Sequence, residues 1–279
     1  MQELIGKVAV VTGAGSGIGR ALAIRFAQEG MHLGIADIDA AALDATLAFL
    51  ADGGVDVTAR PVDVARLDDV VAFADQVYAT FGACDVLCNN AGVFAGGTIW
   101  ERPMSDFEWT LGVNLYGILH GIRAFVPRML AAGTEGHVVN TVSIAGLFAT
   151  PFSGPYNVSK FAALAATECL AEDLQQAGSK IRVTALCPGI VATQIAASHR
   201  NRPHDLAAER TPDAEFVEQV LADTTSSRGI DPLEVAGMVV DAIRAERFLQ
   251  LTDDRHRSLF GPRLDQLLAG ALPTFPTYE

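Results

Sequence analysis

The amino-acid sequence predicts a doubly wound α/β domain, in which helices cover both faces of a parallel sheet. Short β-rich runs alternate with helical patterns along all 279 residues. The helical stretches have roughly a dozen residues or more, the length that a crossover between parallel strands needs. Half of the residues are hydrophobic and 19% are charged, which is typical of a compact globular protein. Because no break in composition divides the chain, we expect one domain over residues 1–279.

Each element follows from a local pattern. The run KVAVVTG (7–13) is almost wholly apolar, as expected for a strand buried on both faces, and it ends in a glycine-rich turn. Gly30 marks the end of the helix that follows. The predicted strands are 7–13, 31–37, 55–63, 84–92, 136–143, 180–189 and 247–252. The predicted helices are 18–29, 40–52, 66–81, 105–131, 155–177, 232–246 and 255–270.

Periodicity weakens over residues 192–230, where Pro203, Pro212 and many polar residues interrupt it. We expect a mobile insertion that closes over a substrate as a lid. Within it, the stretch ASHRNRPHD (197–205) carries two arginines and two histidines, although the chain has a net charge of −13. Two interpretations of this basic stretch stay open: it is a solvated loop, or it meets a polar part of the substrate.

Charge and cysteine content argue against several functional classes. A net charge of −13 disfavours binding to nucleic acid, to anionic membranes and to acidic carrier proteins. The cysteines, Cys84, Cys88, Cys169 and Cys187, show no metal-binding spacing and predict free thiols in a reducing cytoplasm. No stretch reaches the roughly 18 to 20 apolar residues that span a bilayer, and no signal-peptide pattern is present. We therefore expect a cytoplasmic protein without a bound metal.

The first predicted strand leads into TGAGSGIGR (12–20), where glycines let the backbone approach a pyrophosphate at a helix N-terminus. Asp37 ends the second strand, where a carboxylate can accept both hydroxyls of an adenine ribose and would repel a 2′-phosphate. Neither Ile38 nor Ser16 supplies a compensating cation. The alternative role for Asp37, an acid at a helix N-terminus, suits Asp39 better. The sequence thus favours NAD over NADP.

Tyr156 and Lys160 stand one helical turn apart in GPYNVSKFAAL (154–164), at the start of an apolar helix. A buried lysine is costly unless it has a partner or a task. The pair of Tyr156 and Lys160 therefore indicates a functional site, and not only a helix.

From residue 5 to about residue 195, the sequence resembles the short-chain dehydrogenase/reductase family of the ordinary cytosolic type, because its motifs are similar and occur in the same order. The matching motifs are TGAGSGIG (12–19), DV (63–64), NNAG (89–92), Asn114 in GVNLYG, Ser143 in NTVSIAG, YNVSK (156–160) and PGIVAT (188–193). The resemblance implies a Rossmann-type parallel sheet of seven strands in the order 3-2-1-4-5-6-7. It also implies hydride transfer between a nicotinamide and a carbonyl or alcohol carbon.

The resemblance implies catalytic roles for Asn114, Ser143, Tyr156 and Lys160. Tyr156 would be the general acid/base, since ketone reduction needs a proton donor where alcohol oxidation needs a base. Lys160, beside the positive nicotinamide, would lower the pKa of Tyr156 from about 10 by roughly three units and would bind the nicotinamide ribose. Ser143 would donate to the carbonyl oxygen. Asn114 would hold a water that connects Lys160 to solvent.

The same match implies the contacts of the cofactor, NAD. The glycine turn would lie under the pyrophosphate, 63–64 would border the adenine, and 89–92 would lie beside the adenosine ribose. Residues 188–193 would flank the nicotinamide, with Thr193 near its carboxamide. The implied cofactor residues are Gly13, Gly15, Ser16, Gly17, Ile18, Gly19, Asp37, Ile38, Asp63, Val64, Asn90, Ala91, Gly92, Tyr156, Lys160, Pro188, Gly189, Ile190 and Thr193.

Candidates for the substrate wall follow the motifs and are apolar: Phe94, Leu147, Phe148, Phe152 and Ile190. No Arg or Lys among them would clamp a carboxylate or phosphate. We therefore expect a hydrophobic secondary alcohol or ketone, aromatic ones included. The alternative, that these phenylalanines belong to the core, stays open.

The chain departs from the common family pattern over 253–279, where a helical extension replaces a DGG-like turn. Together with 107–130, this stretch is similar to bacterial dehydrogenases of bulky aryl carbinols. We expect a homodimer or homotetramer, with dimer contacts through the helices at 105–131 and 155–177.

Two other functions stay open. A 3-oxoacyl thioester reductase is disfavoured by the acidic surface and by the lack of a cation for NADP. A non-catalytic NAD-binding sensor would have no need of Asn114, Ser143, Tyr156 and Lys160 together.

Overall fold

The computed structural model describes residues 1–51 and 53–274. Across these two ranges, seven parallel strands form one sheet in the order β3-β2-β1-β4-β5-β6-β7. The strands are β1 (Val8–Thr12), β2 (His32–Asp37), β3 (Val57–Pro61), β4 (Val86–Asn89), β5 (Gly136–Thr141), β6 (Ile181–Cys187) and β7 (Leu249–Leu251). The predicted doubly wound sheet and its strand order are confirmed.

Helices cover both faces of this sheet. They are α1 (Gly17–Gln28), α2 (Ala40–Leu50), α3 (Leu67–Phe81), α4 (Met104–Leu111), α5 (Gly117–Ala132), α6 (Gly154–Gln176), α7 (Pro212–Arg228), α8 (Pro232–Arg244) and α9 (Phe260–Leu268). Among the helices of the described ranges, none is both long enough and apolar enough to cross a membrane.

The central strands are apolar throughout because successive side chains point to opposite faces of the sheet and both faces are covered. In β1, Val10 packs in one cluster with Phe73 of α3 and Phe125 of α5. The next residue, Val11, packs on the other face in a cluster with Phe26 of α1. All five side chains are fully buried. The run KVAVVTG therefore contributes to two cores at once.

The predicted helix over 105–131 is divided. A π-helical turn, Gly112–Tyr116, separates α4 from α5 and contains Asn114. Such turns are rare and occur frequently at functional sites. The predicted terminal helix over 255–270 begins as a 3₁₀ turn, Asp254–Leu259, and continues as α9.

The insertion at 192–230 has more regular structure than its sequence predicts. It contains two 3₁₀ turns, Ile195–Asn201 and His204–Leu206, before α7. Only Ala214 and Thr225 of α7 are buried, so this helix has no apolar stripe from which it could be predicted.

Some predicted ranges extend further than the structure. The single-domain range 1–279 and the C-terminal extension 253–279 include 275–279, and the predicted helix 40–52 includes Asp52. These positions lie outside the described residues.

The strand order reverses between β1 and β4, so the chain leaves these two neighbours in opposite directions. In parallel α/β sheets, ligands bind in the crevice that this divergence leaves at the carboxyl ends of the strands. The motifs at 12–19, 89–92, 141–143 and 188–193 all follow strands at this edge.

Candidate active site

A cleft of about 2070 Å³, the main cleft, opens at the carboxyl edge of the sheet. All but two of the predicted site residues line it, and the exceptions are Gly19 and Asn114. The predicted residues on its wall are Gly13, Gly15, Ser16, Gly17, Ile18, Asp37, Ile38, Asp63, Val64, Asn90, Ala91, Gly92, Ser143, Tyr156, Lys160, Pro188, Gly189, Ile190 and Thr193. The fold thus brings residues from the loops after six strands, β1 to β6, and from α6 to one surface.

The glycine-rich turn is packed too tightly for side chains. A Cβ on Gly13, whose φ is +67°, would lie 2.7 Å from the Cα of Ala91. A Cβ on Gly19 would lie 2.0 Å from the carbonyl oxygen of Gly13, so Gly19 holds α1 against the turn instead of lining the cleft. At the start of α1, the Ser16 side chain makes no capping hydrogen bond and the first turn holds no acidic residue. No acidic side chain of the first turn therefore offsets the positive end of this helix.

The carboxylate of Asp37 is fixed by backbone donors. It accepts one hydrogen bond from the N–H of Gly15, at 2.7 Å, and another from the N–H of Asp39, at 3.0 Å. Asp39 caps α2 by accepting from the N–H of Ala42 at 3.0 Å, as expected. Asp37 therefore holds a negative charge at a defined place on the cleft wall.

Arg20, the last residue of the glycine motif, also lines the main cleft and was not among the predicted site residues. Its guanidinium donates to the carbonyl oxygen of Gly15 and, at 2.9 Å, to the hydroxyl of Thr46. The Thr46 hydroxyl in turn donates to the carbonyl oxygen of Ala14 at 2.9 Å. Arg20 thereby connects the turn to α2. The only sequence signal for this role is its position directly after the last glycine.

Ser143 and Tyr156 come together on the cleft wall. Ser143 follows β5, and its hydroxyl oxygen accepts from the N–H of Ala145 at 3.1 Å. Tyr156 lies in the first turn of α6, with its hydroxyl close enough to the Ser143 side chain for an interaction that favours the phenolate. Lys160, one turn later, is buried and donates to the carbonyl oxygen of Thr141 at 2.9 Å. The ammonium nitrogen lies 5.7 Å from the centre of the Tyr156 ring.

The pKa of Tyr156 is raised in the chain by itself. Burial raises this pKa above 10, and the interaction with Ser143 offsets that rise only in part. The lowering expected from Lys160 together with the nicotinamide stays a prediction; in the chain by itself the ammonium group donates to Thr141 and not to the phenol. Burial also lowers the pKa of Lys160, to about 8. At neutral pH the phenol is thus protonated and the lysine remains mainly cationic.

Asn114 lies behind the cleft and is fully buried. Its side-chain oxygen accepts from the N–H of Val93 at 2.8 Å, and its amide donates to the Val93 carbonyl oxygen and to the Ser159 hydroxyl, each at 2.9 Å. Both amide hydrogens are therefore engaged within the protein. The side chain fixes the segment after NNAG relative to the helix that carries Tyr156.

The predicted substrate wall is only partly correct. Phe94 and Ile190 line the main cleft, and the Phe94 ring lies 5.1 Å from that of Tyr156. Leu147 and Phe148 are buried in a separate cluster, where Phe148 packs against Phe260 of α9. Phe152 lies in a second, apolar groove outside the cleft.

Trp109 of α4 also lines the main cleft and was missed, since its helix has the pattern of an ordinary core element. The guanidinium carbon of Arg202 lies 4.9 Å from the centre of the Trp109 indole. Arg202 also donates to the buried carboxylate of Asp106 at 2.6 Å and to the carbonyl oxygen of Leu206 at 2.6 Å. These contacts hold the segment after the first 3₁₀ turn of the insertion against α4.

Arg200, in the same basic stretch, behaves differently. It is exposed and donates to the carbonyl oxygens of Gln194 and Ala197, at 3.1 Å and 2.9 Å. The basic stretch thus contains one arginine that caps its own turn and one that fastens the insertion to the body of the protein.

A family model described as short chain dehydrogenase matches residues 7–204. The chain therefore belongs to the short-chain dehydrogenase/reductase family and is an oxidoreductase. It is similar to the CLA biosynthesis dehydrogenase/reductase of Lactiplantibacillus plantarum, with 33% identity over 98% of this chain and 97% of that protein. The 1-deoxy-11-beta-hydroxypentalenate dehydrogenase of Streptomyces exfoliatus is 34% identical over 94% of this chain and 88% of its own length.

Among solved structures, the chain is similar to a short chain dehydrogenase/reductase from Burkholderia phymatum in complex with NAD. The two chains are 40% identical, superpose with a TM-score of 0.97, and each is covered over 100% of its length.

Proposed function

We propose that this protein is an NAD-dependent dehydrogenase/reductase that interconverts hydrophobic secondary alcohols and their ketones, aromatic ones included. The observation that carries this function is the meeting of the Ser143 and Tyr156 side chains. They lie on the wall of the same cleft as the glycine-rich turn.

The residues present fit NAD. The turn around Gly13 has no side chains that would keep a ligand away from the backbone. The N-terminus of α1 offers unpaired N–H groups for a pyrophosphate. Asp37 is oriented to accept the ribose hydroxyls, and its charge would repel a 2′-phosphate. The similar Burkholderia phymatum protein binds NAD, which supports the same cofactor here. When bound, the cofactor accepts a hydride from the alcohol or, in its reduced form, gives one to the ketone.

Tyr156 supplies or removes the proton that accompanies hydride transfer. During ketone reduction its phenol donates a proton to the carbonyl oxygen, and during alcohol oxidation the phenolate takes the hydroxyl proton. Its raised pKa keeps the phenol protonated in the chain alone, which suits the donor role. Ser143 donates a hydrogen bond to the same oxygen and orients it. The buried cation of Lys160, beneath the ring, stabilises the phenolate as it forms.

The wall of the substrate space is apolar and broad. Phe94, Trp109 and Leu206 contribute to it, while the nearby cations Arg202 and Arg210 are paired with carboxylates. A volume of about 2070 Å³ exceeds the roughly 300 to 1,000 Å³ of most small-molecule sites, which leaves room for a bulky substrate beside a dinucleotide. The similar Streptomyces protein is named for dehydrogenating a hydroxylated compound, which supports an alcohol as the reduced substrate.

Residues 192–230 serve as the lid over the substrate, within a single domain that includes the extension after β7. The protein acts in the cytoplasm as a homodimer or homotetramer. The exposed apolar side chains of Tyr116 and Leu119, where α5 begins, support an interface along that helix.

Purified protein should be tested with aryl ketones, aliphatic ketones and the matching alcohols, each with NAD(H) and with NADP(H). We expect turnover of aryl-bearing substrates, with a higher kcat/KM for the NAD couple. Turnover of only sugars or acyl thioesters would contradict the substrate class. NADH binding without turnover of any compound would instead favour the sensor.

A further inference from the structure

The chain after β7 reaches the turn that follows β6. Because β6 and β7 are parallel neighbours, with Cys187 opposite Leu251, the residues that follow these two strands are adjacent. The buried Thr252 uses its hydroxyl oxygen to accept a hydrogen bond from the N–H of Gly189 at 2.9 Å. Gly189 is half-buried, and a backbone donor shielded from water is costly to leave unpaired, so this contact fixes where the turn can lie.

His256 covers the same glycine. A Cβ built on Gly189 would lie 2.7 Å from the Cε1 atom of the imidazole, and the three heavy atoms nearest to it all belong to that ring. His256 is buried, although it belongs to the 3₁₀ turn that opens the C-terminal extension. Both Thr252 and His256 also line the main cleft.

The turn held in this way is coupled to the proton-transfer pair. The N–H of Ile144, next to Ser143, donates to the carbonyl oxygen of Pro188 at 2.9 Å. The segment after Ser143 is held from the same side, because Arg263 of α9 donates to the carbonyl oxygen of Leu147 at 2.8 Å. The C-terminal extension therefore contacts both loops that meet at the reactive end of the cleft.

We propose that Thr252 and His256 are positioning residues that fix the Pro188–Gly189 turn for the nicotinamide end of the cofactor, an inference that rests on the proposed function. Thr252 supplies the acceptor for the Gly189 N–H, and His256 closes the space above the Gly189 Cα. Neither group exchanges a proton or a hydride. A misplacement of about 1 Å can cost about a hundredfold in rate, so a loosened turn has a measurable effect.

The first test compares Thr252→Val, which keeps the shape but removes the acceptor, with Thr252→Ser, which keeps the acceptor. The matched control is Thr167→Val, in a buried threonine of α6 that does not line the cleft. The measurements are the Kd for NADH, the KM for NAD and kcat at saturating NAD, with thermal melting to verify folding. We expect Thr252→Val to raise the Kd and the KM about tenfold, the effect of one lost buried hydrogen bond.

Thr252→Ser should stay close to the wild type, and Thr167→Val should lower the melting temperature without changing the KM for NAD. Wild-type values for Thr252→Val, or equal losses in the valine and serine variants, would overturn the role of Thr252. If the wild-type protein itself bound no NADH, the proposed function would fail instead. The two failures are thus distinguishable.

The second test is a double-mutant cycle on NADH binding with Gly189→Ala and His256→Ala. Because the atoms nearest to a methyl group at 189 all belong to the imidazole, Gly189→Ala should weaken binding in the wild-type background and much less in His256→Ala. Additive effects would show that the imidazole does not restrain the turn, and would overturn the role of His256.

Discussion

Lys160 donates a hydrogen bond of 2.9 Å to the backbone carbonyl oxygen of Thr141, two residues before Ser143. This contact joins the helix that carries Tyr156 to the end of the strand that leads to Ser143. The ammonium group is buried, and burial lowers its pKa to about 8. The cation is therefore held at a cost in solvation, which the hydrogen bond to Thr141 offsets in part.

Removing the phenolic hydroxyl tests the proton-transfer role. Tyr156→Phe should lower kcat by about 10² to 10⁴, because general acid–base catalysis contributes about that much. The Kd for NADH, measured by fluorescence, should change little. Tyr78→Phe is a matched control, since the Tyr78 hydroxyl is buried away from the main cleft. Equal kcat values in Tyr156→Phe and Tyr78→Phe would rule out the phenol as acid and base.

The carboxylate of Asp37 should set the choice between NAD and NADP. Asp37→Asn removes the charge that repels a 2′-phosphate, so we expect the ratio of kcat/KM for NAD over NADP to fall at least about tenfold, a change of about 1.4 kcal/mol. Asp39→Asn is the control, because asparagine also caps helices and Asp39 caps α2. An unchanged ratio in Asp37→Asn would locate cofactor selection elsewhere.

The two arginines of the basic stretch should differ in their effects. Arg202→Met leaves the buried Asp106 without its closest cation and removes the contact with Trp109, so the insertion should detach from α4. We expect the KM for a bulky substrate to rise about tenfold while the Kd for NADH stays constant. Arg200→Met removes only hydrogen bonds to exposed carbonyl oxygens and should change the KM less than twofold, an effect of about 0.4 kcal/mol. Equal KM values for both variants would count against the lid.

The stability of the protein should fall in mild acid because of His137. Its ring is fully buried and its N–H donates to the hydroxyl of Thr184 at 2.7 Å, since that hydroxyl itself donates to the Arg247 carbonyl oxygen. Burial lowers the pKa of His137 to about 3, from 6.5 in the unfolded chain. Between these values the unfolded chain binds the additional proton, so folding stability is lost as the pH falls.

Relative to His137→Gln, the free energy of unfolding of the wild type should therefore drop by about 1.4 kcal/mol per pH unit between about pH 6 and pH 4. Urea denaturation at several pH values measures this slope. Parallel curves for the two proteins would show that His137 is not held neutral.

Much of the fold could be predicted because its signals are local. The apolar strands, the closing Gly30 and the glycine turn each depend on a few consecutive residues, and the parallel order followed from the family motifs. α7 could not be predicted, because it buries little more than Ala214 and Thr225 and has no periodic apolar face. The π-helical turn around Asn114 could not be predicted either, because the contacts of Asn114 with Val93 and Ser159 are distant in sequence.

The sequence predicted the site residues that belong to a motif. It did not predict those whose position depends on packing against distant segments. Ser143, Tyr156 and Lys160 meet as their motifs imply. Phe148, in contrast, turns away from the cleft because α9 supplies Phe260 as a partner, and no local pattern reveals that contact. Trp109 lines the cleft with its ring covered by Arg202 from a distant segment, a contact that no local pattern reveals.

The hydrogen bond between Gly189 and Thr252 affects where two related enzymes of this family can be joined to make a chimera. The loops that would bind the adenosine half of a dinucleotide all come from residues before 93. The insertion, and the residues Thr252 and His256 that hold Gly189, come from residues after 181. A gene chimera with its crossover between α6 and β6 would exchange the insertion and the C-terminal extension as one block and keep Thr252 with its own turn. A crossover after β6 would separate the two partners and join a turn from one parent to an acceptor from another.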